Sequence, residues 1–399
     1  MTDPAGGKMD YNFDELIERR GTNCIKYDFA AERGMPDDVL SFWVADMDFK
    51  TVPAVTEKIH EIADHGIFGY TEGKSDYFNA VAGWLKRRFD RDVRPSWLVK
   101  TPGVVFSLAA AVRAFTKPGD PVIIQRPVYY PFSEVISDNG RRIVNSPLVN
   151  AGGHYEIDFD DFEKKIEDSG ARLFLLCSPH NPGGRVWKRE ELERLGDICL
   201  RRGVTVVSDE IHADLVFPGH SHTVFAGIKP EFDDITVTCT SPSKTFNLAG
   251  LQISNIFIKN EELRKKYRAE IAASGYSQAN VMGLAACEAA YNDGEDWYFA
   301  VLDYIRKNLD YTVRFVDEKI PGVSVMEPEG TYLVFLDFTR LGLSNEALED
   351  LIVNKAGLWL DRGTMFGPEG AGFERINIAC PRARLAEGLE RLAGAVRRL

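Results

Sequence analysis

The sequence predicts an α/β protein: a mainly parallel sheet held between helices, followed by a smaller α+β unit. Three observations carry that expectation. Between residues 120 and 260, short continuously apolar runs alternate with amphipathic stretches. This is the pattern of strands buried on both faces and separated by helices. After about residue 290 one long amphipathic stretch is followed by shorter mixed elements. The length of 399 residues, with 44% hydrophobic and 27% charged side chains, suffices for a large core and two domains.

Residues 1–35 read as a polar, irregular arm. Leu40 to Phe49 is apolar and then acidic at Asp46 and Asp48, an extended segment crossing from the small domain into the large one. Val55, Ile59 and Ile62 recur at helical spacing between Pro53 and His65. A second helix is expected over about Ser75 to Phe89, with Phe78, Val81, Trp84 and Leu85 on one face. Gly103 turns the chain into an Ala-rich helix from Phe106 to Phe115. Strands are expected at Val122–Ile124, Arg142–Val144, Leu173–Cys177, Val204–Ser208, Ile235–Thr240 and Ile253–Ile258, with a helix at Lys188–Arg202. The later part predicts a helix over Trp297–Lys319, a strand from Tyr332 to Phe338 and a helix near Asn345–Lys355. Leu358–Leu360 and Arg375–Ala379 follow as strands, before a final helix ending at Leu399. The expected division is an arm and small-domain segment over 1–50, a large domain over 51–290, and a C-terminal small domain over 291–399.

Composition excludes several classes. A net charge of −12 argues against a nucleic-acid surface. The six cysteines are scattered, with no Cys-x-x-Cys, and several fall in apolar runs, so buried free thiols are expected. Met1 to Asp10 has no apolar signal core, and no apolar run approaches the ~20 residues of a membrane span. These features fit a reducing cytoplasm and no membrane partner. His220 and His222 flank Ser221 without further ligand-spaced partners, so no metal is read there.

The chemistry gathers around Ser241-Pro242-Ser243-Lys244-Thr245, which follows a predicted strand. Burial disfavours the ammonium form of such a lysine, and the neutral amine forms a Schiff base with an aldehyde. The aldehyde that suits this setting is pyridoxal 5′-phosphate, with the Ser241 and Ser243 hydroxyls near its phosphate. The turn Gly103-Val104-Val105 opens a helix, and a helix N-terminus favours an anion. Asp209 follows a strand and suits a pyridine nitrogen, which its carboxylate would keep protonated. Asp there also suits a helix N-cap. Asn181, within Asn181-Pro182-Gly183, suits a β-turn that aims its side chain at the ring oxygen. Tyr129 can stack on the ring with Tyr130 nearer the substrate. His212 lies three residues beyond Asp209 and suits the phenolic oxygen, and Arg375 offers a planar fork for a carboxylate. Tyr129, Asn181, Asp209 and Lys244 all fall just past the C-terminal ends of predicted strands, where such sheets bind ligands.

The ordered set Tyr70, Gly103, Tyr129, Asn181, Asp209, Ser241, Ser243, Lys244 and Arg375 resembles the fold-type I pyridoxal-phosphate enzymes of aminotransferase class I/II, over nearly the whole chain. Trp43 to Phe49, Pro179 to Pro182, Ser208 to His212, Ser243 to Asn247 and Arg375 to Arg382 are similar to the MalY/PatB group of cystathionine β-lyases within it. The resemblance implies that Lys244 carries the cofactor as a Schiff base and that Asp209 pairs with the pyridinium. Asn181 and His212 would then lie at the ring oxygen, with Tyr129 stacked. Gly103, Val104, Val105, Ser241 and Ser243 would hold phosphate. Arg375 would bind the α-carboxylate, with Val44 and Ala45 beside the substrate. Tyr70 would reach the phosphate in a neighbouring subunit, which implies a homodimer. Two positions depart from the wider pattern: Gln252 stands where many members have a phosphate-binding arginine, and His212 where many have a tyrosine.

The expected activity is β-elimination on a small sulfur-containing amino acid. Lys244 is the base, Asp209 supports the ring, and Tyr130 aids the leaving group. An aminotransferase needs the same lysine, ring partner and arginine, so local chemistry barely separates the two. A non-catalytic binding protein on the same fold is the reading from another class.

Overall fold

The computed structural model describes residues 11–399, so the first ten residues of the expected arm lie outside the described residues. Seven strands form the main sheet. In chain order they are β1 (Leu98–Thr101), β2 (Pro121–Ile124), β3 (Arg142–Asn145), β4 (Leu173–Cys177), β5 (Thr205–Asp209), β6 (Thr236–Thr240) and β7 (Ser254–Phe257). Their spatial order is β1-β7-β6-β5-β4-β2-β3. The pairs β3–β2, β2–β4, β4–β5 and β5–β6 are parallel, whereas β7 runs antiparallel to both β6 and β1. The sheet is thus mainly parallel, as expected, with one reversed strand.

Strand β4 shows why its sequence is apolar throughout. Leu173, Leu175 and Cys177 pack with Leu108, Ala111 and Val112 of the helix Val104–Phe115 and Tyr267 of the helix Glu261–Ala273. Phe174 and Leu176 point the other way and join Phe162 of the helix Phe159–Ser169 and Leu192, Leu195 and Cys199 of the helix Arg189–Arg202. Alternate residues therefore serve opposite faces, and both faces are dry.

Local signals set the helix ends. Pro53 starts Pro53–His65, and Gly66 ends it in the left-handed region at φ 72°. Asn260 and Asn280 each accept two backbone N–H groups at the start of Glu261–Ala273 and Val281–Asp293. The helix Ser75–Phe89 matches its expected bounds. The Ala-rich helix begins two residues earlier than the spacing predicts, at Val104. The expected helix near Asn345–Lys355 is α-helical only over Asn345–Asp350 and continues as a π-turn over Leu351–Lys355.

A second, antiparallel sheet of four strands follows: β8 (Ser324–Met326), β9 (Leu333–Asp337), β10 (Asp361–Arg362) and β11 (Phe373–Asn377), in the order β8-β9-β11-β10. β11 begins two residues before the expected Arg375. The long helix Glu295–Lys319 packs with this part of the chain, through Val301, Ile305 and Leu309. Leu40–Ser41 pairs in parallel with Leu358–Trp359, and Trp43 stacks on Trp359 at 4.6 Å. From there residues 43–49 cross toward the end of the main sheet.

Candidate active site

The candidate residues come to the main sheet from its C-terminal edge. Asp209 is the last residue of β5, not a residue beyond it. Asn181 lies four residues past β4, and Tyr129 five past β2. Lys244 sits in the short helix Pro242–Thr245 that follows β6. The Tyr129 N–H donates to the Asn181 carbonyl at 2.9 Å, which locks the two loops together.

These loops enclose a recess of about 180 Å³. It is lined by Ala45, Gly103, Val104, Val105, Tyr129, Asn181, Asp209, His212, Ser241, Ser243 and Lys244, all expected from the sequence. Cys177, Ile211, Gln252 and Ile253 line it as well. Of the remaining candidates, Arg375 lies behind Asn181, donating to its Oδ1 at 3.0 Å. Tyr130 packs on Tyr129, ring centroids 5.0 Å apart. Val44 is held by its carbonyl, which accepts from Asn377 Nδ2 at 2.6 Å. Tyr70 is not brought to the recess: it is 94% exposed, beside a neighbouring hollow that shares Pro102 and Gln252 with it.

Lys244 is half-buried, and desolvation pulls its pKa down to about 8, against the opposing charge of Asp46. Its Nζ donates to the Ala45 carbonyl at 2.6 Å. Asp209 is pushed up to about 7 by burial, although it accepts from the Ile211 N–H at 3.1 Å and feels Lys244. The Lys244 charge does not offset that desolvation. His212 is pulled down to about 3 by burial and by the nearby Lys244 and Arg375 charges, and its Nδ1 has no hydrogen-bond partner. Asn181 uses its oxygen on Arg375, which leaves its amide N–H groups to donate.

The phosphate end is built from backbone and hydroxyls. The first N–H groups of a helix have no intrahelical acceptor, and here they belong to the helix Val104–Phe115 at the recess wall. A Cβ at Gly103 would meet no protein atom within 4 Å, so the space beside it is open. Ser243 lines the recess, while Ser241 has a second task. Its hydroxyl caps the short helix by accepting from Ser243 N and donates to the Ile253 carbonyl at 2.7 Å. The recess therefore fits a planar ring with a protonated nitrogen at Asp209, an acceptor oxygen near Asn181 and His212, an aldehyde at Lys244 and an anion at the helix end.

Three contacts were not read from the sequence. The Tyr332 hydroxyl donates to the same Ala45 carbonyl as Lys244, at 2.9 Å. Asn247, in the left-handed region at φ 57°, holds residues 47–49 by accepting from Met47 N and donating to the Met47 and Phe49 carbonyls, each at 2.9 Å. Asp361 pairs with Arg375. Asn tolerates a positive φ better than most residues, and Asn247 sits in the quoted Ser243 to Asn247 stretch, so a signal for it existed.

Comparison with known proteins gives a consistent picture. The aminotransferase class I and II family matches residues 37–392. Cystathionine β-lyase PatB of Bacillus subtilis is 46% identical over 385 residues, covering 96% of this chain and 100% of PatB. Cystalysin from Treponema denticola, whose crystal structure contains pyridoxal 5′-phosphate, superposes with a TM-score of 0.95 at 39% identity, covering 98% of this chain and 100% of cystalysin. The pyridoxal-phosphate-bound C-S lyase of Staphylococcus hominis superposes with a TM-score of 0.91 at 36% identity, covering 97% and 98% of the two chains.

Proposed function

The chain belongs to the aminotransferase class I and II family, and from that premise we propose that it is a pyridoxal-phosphate-dependent carbon–sulfur β-lyase. It would act on cystathionine or another cysteine S-conjugate, releasing a thiol, pyruvate and ammonia. The observation that carries this reading is the convergence of Lys244, Asp209, Asn181 and the helix end at Val104 on one recess, with Arg375 directly behind Asn181. The choice of elimination over amino transfer is supported by the cystathionine β-lyase and C-S lyase names of full-length relatives.

When bound, the cofactor supplies an electron-withdrawing ring that makes the substrate Cα–H acidic. The protein's residues do the rest. Arg375 binds the α-carboxylate and so fixes which Cα bond faces Lys244. Lys244, whose pKa desolvation lowers to about 8, removes the Cα proton as general base from its neutral form. The resulting ammonium has an acceptor ready in the Ala45 carbonyl. Asp209 keeps a proton on the ring nitrogen by pairing with it. His212, kept neutral by burial, would lie at the ring oxygen. As the Cα–H bond breaks, the Cβ–S electron pair leaves with sulfur, and Tyr130, packed on Tyr129, would aid that departure. The released enamine hydrolyses to pyruvate and ammonia.

The same reading includes a homodimer in which Tyr70 reaches toward the second copy's phosphate site. Its support is the exposure of Ile67, Phe68 and Tyr70 on the single chain. All six cysteines are free and five are buried, which suits a reducing cytoplasm. Among the described residues, no helix is long and apolar enough to cross a membrane.

The test is direct. The purified holoenzyme is given L-cystathionine with no 2-oxo acid, and pyruvate and free thiol are followed together. Equal yields of both are expected. Conversion that begins only after a 2-oxo acid is added would replace this reading with amino transfer.

A further inference from the structure

Arg375 has already spent the nitrogen that any bidentate grip requires. Its Nη2 donates to the Trp43 carbonyl at 3.0 Å and to Asp361 Oδ2, and its Nη1 donates to Asn181 Oδ1 at 3.0 Å. Its Nε is buried and has no partner. A planar guanidinium offers two forks for a carboxylate, one from Nη1 with Nη2 and one from Nε with Nη2. Each fork includes an Nη2 hydrogen, and both of those hydrogens are engaged here. A substrate α-carboxylate therefore meets a competitor.

The competitor is built into the fold. Asp361, on β10, lies directly opposite Arg375, on β11, in the antiparallel ladder. The two side chains are 3% and 2% exposed, so their attraction is little screened by water. The Phe366 ring lies 4.9 Å from the guanidinium carbon. The titratable groups that feel Arg375 include Tyr129, Tyr130, Tyr332, His212 and Lys244, and Glu374 feels Asp361.

We propose that Asp361 is a specificity-setting residue of the substrate site: it positions the Arg375 fork and competes with the incoming α-carboxylate for Nη2. Its negative charge weakens the site for carboxylates while holding the guanidinium in plane. The site would thus release an acidic product or substrate more readily than a free arginine would. The inference rests on Arg375 holding the α-carboxylate. It goes beyond that assignment by naming a residue that opposes it.

The experiment uses the holoenzyme with an S-alkyl-L-cysteine and its α-carboxamide. The readout is the ratio of the two KM values, because a general loss of packing moves both alike. The native enzyme is expected to prefer the acid. Asp361→Asn keeps the size and an acceptor but removes the charge. It is expected to shift the ratio toward the acid by on the order of tenfold. A ratio unchanged within about twofold, or shifted toward the amide, would overturn the role of Asp361 and leave Arg375 as the carboxylate site. No acid preference in the native enzyme would overturn the Arg375 assignment and this inference with it. Asp361→Ser carries the same test should Asp361→Asn fail to take up cofactor.

Discussion

Lys244 Nζ donates to the Ala45 carbonyl at 2.6 Å across 199 residues of sequence. The amine that would act as base is thus joined to the backbone segment that leads from the Leu40–Ser41 pairing with Leu358–Trp359. The Tyr332 hydroxyl donates to the same oxygen, so one carbonyl is shared by a group that must move and a group that need not. Tyr332 is fully buried, and its ring meets His212 edge to face at 6.2 Å.

This arrangement predicts a kinetic effect for Tyr332→Phe. Losing the hydroxyl leaves the Ala45 carbonyl positioned by fewer bonds, and a buried hydrogen bond of this kind is worth about 1 kcal/mol. We expect kcat to fall roughly three- to tenfold with little change in KM. The deuterium isotope effect from Cα-labelled substrate should rise, because proton transfer becomes slower relative to product release. An unchanged isotope effect with a lower kcat would place the role of Tyr332 elsewhere.

Lys244→Ala should abolish turnover and the visible absorbance of bound cofactor while leaving the fold intact. The sign of its stability effect follows from burial. A lysine whose folded pKa is lowered from 10.5 to about 8 binds fewer protons folded than unfolded between those values. Stability therefore rises with pH through that window, and below about pH 8 the full penalty of the buried ammonium is present. Removing the amine relieves that penalty, so cofactor-free Lys244→Ala should melt at or above the native temperature at pH 7. A clearly lower melting temperature would mean that the bond to Ala45 outweighs desolvation.

Asp209 gives the opposite slope. Its folded pKa is raised from 3.8 to about 7 by burial. Between those values the folded state holds a proton that the unfolded state has lost, so its contribution falls as pH rises from about 4 to 7. In the cofactor-free protein, Asp209→Asn should remove that decline, worth up to about 4 kcal/mol, when the two melting curves are compared across pH. Adding cofactor should flatten the native curve as well, because a pyridinium pairs with the carboxylate. In the loaded enzyme the same substitution should lower kcat by at least about a hundredfold. Parallel melting curves for the two cofactor-free proteins would refute the electrostatic account of Asp209.

The legible part of the site is the part that lies close to strand ends. Asn181, Tyr129 and Lys244 follow short continuous apolar runs, and Asp209 ends one, so their placement at one edge of the sheet follows from the alternation of such runs with helices. Helices at Ser75–Phe89 and Arg189–Arg202 were legible from spacing. The reversed direction of β7 was not, since an apolar run carries no sense of direction. Nor was Asp361 visible as the partner of Arg375: that pairing depends on the register of two strands, one of them only two residues long. From the sequence Tyr332 is visible only as the start of a strand. Residues 11–35 hold almost no regular structure, and irregular backbone offers no period to read.

That unreadable arm nevertheless grips the crossing segment. Arg19 reaches Asp46 Oδ2 at 2.6 Å and Asp48 Oδ1 at 2.7 Å, and Lys26 reaches Asp48 Oδ2 at 3.1 Å. Asp48 is buried, and Lys26 still pairs with it if Arg19 is lost. Arg19 itself retains 23% side-chain exposure, so its removal should cost about 2 kcal/mol, below the 3–5 expected for breaking a fully buried pair. The effect should also reach catalysis. The segment between Trp43 and Asp48 supplies the carbonyls that hold Arg375 Nη2 and Lys244 Nζ, and loosening it disturbs both ends of the substrate at once. Arg19→Ala is therefore expected to raise KM and lower kcat together, each several-fold, while Arg20→Ala, whose partner Glu18 is exposed, should change neither. Thermal melting and steady-state kinetics on the two variants decide the matter. Equal behaviour of the two would show that the Arg19 contacts do not steady the segment.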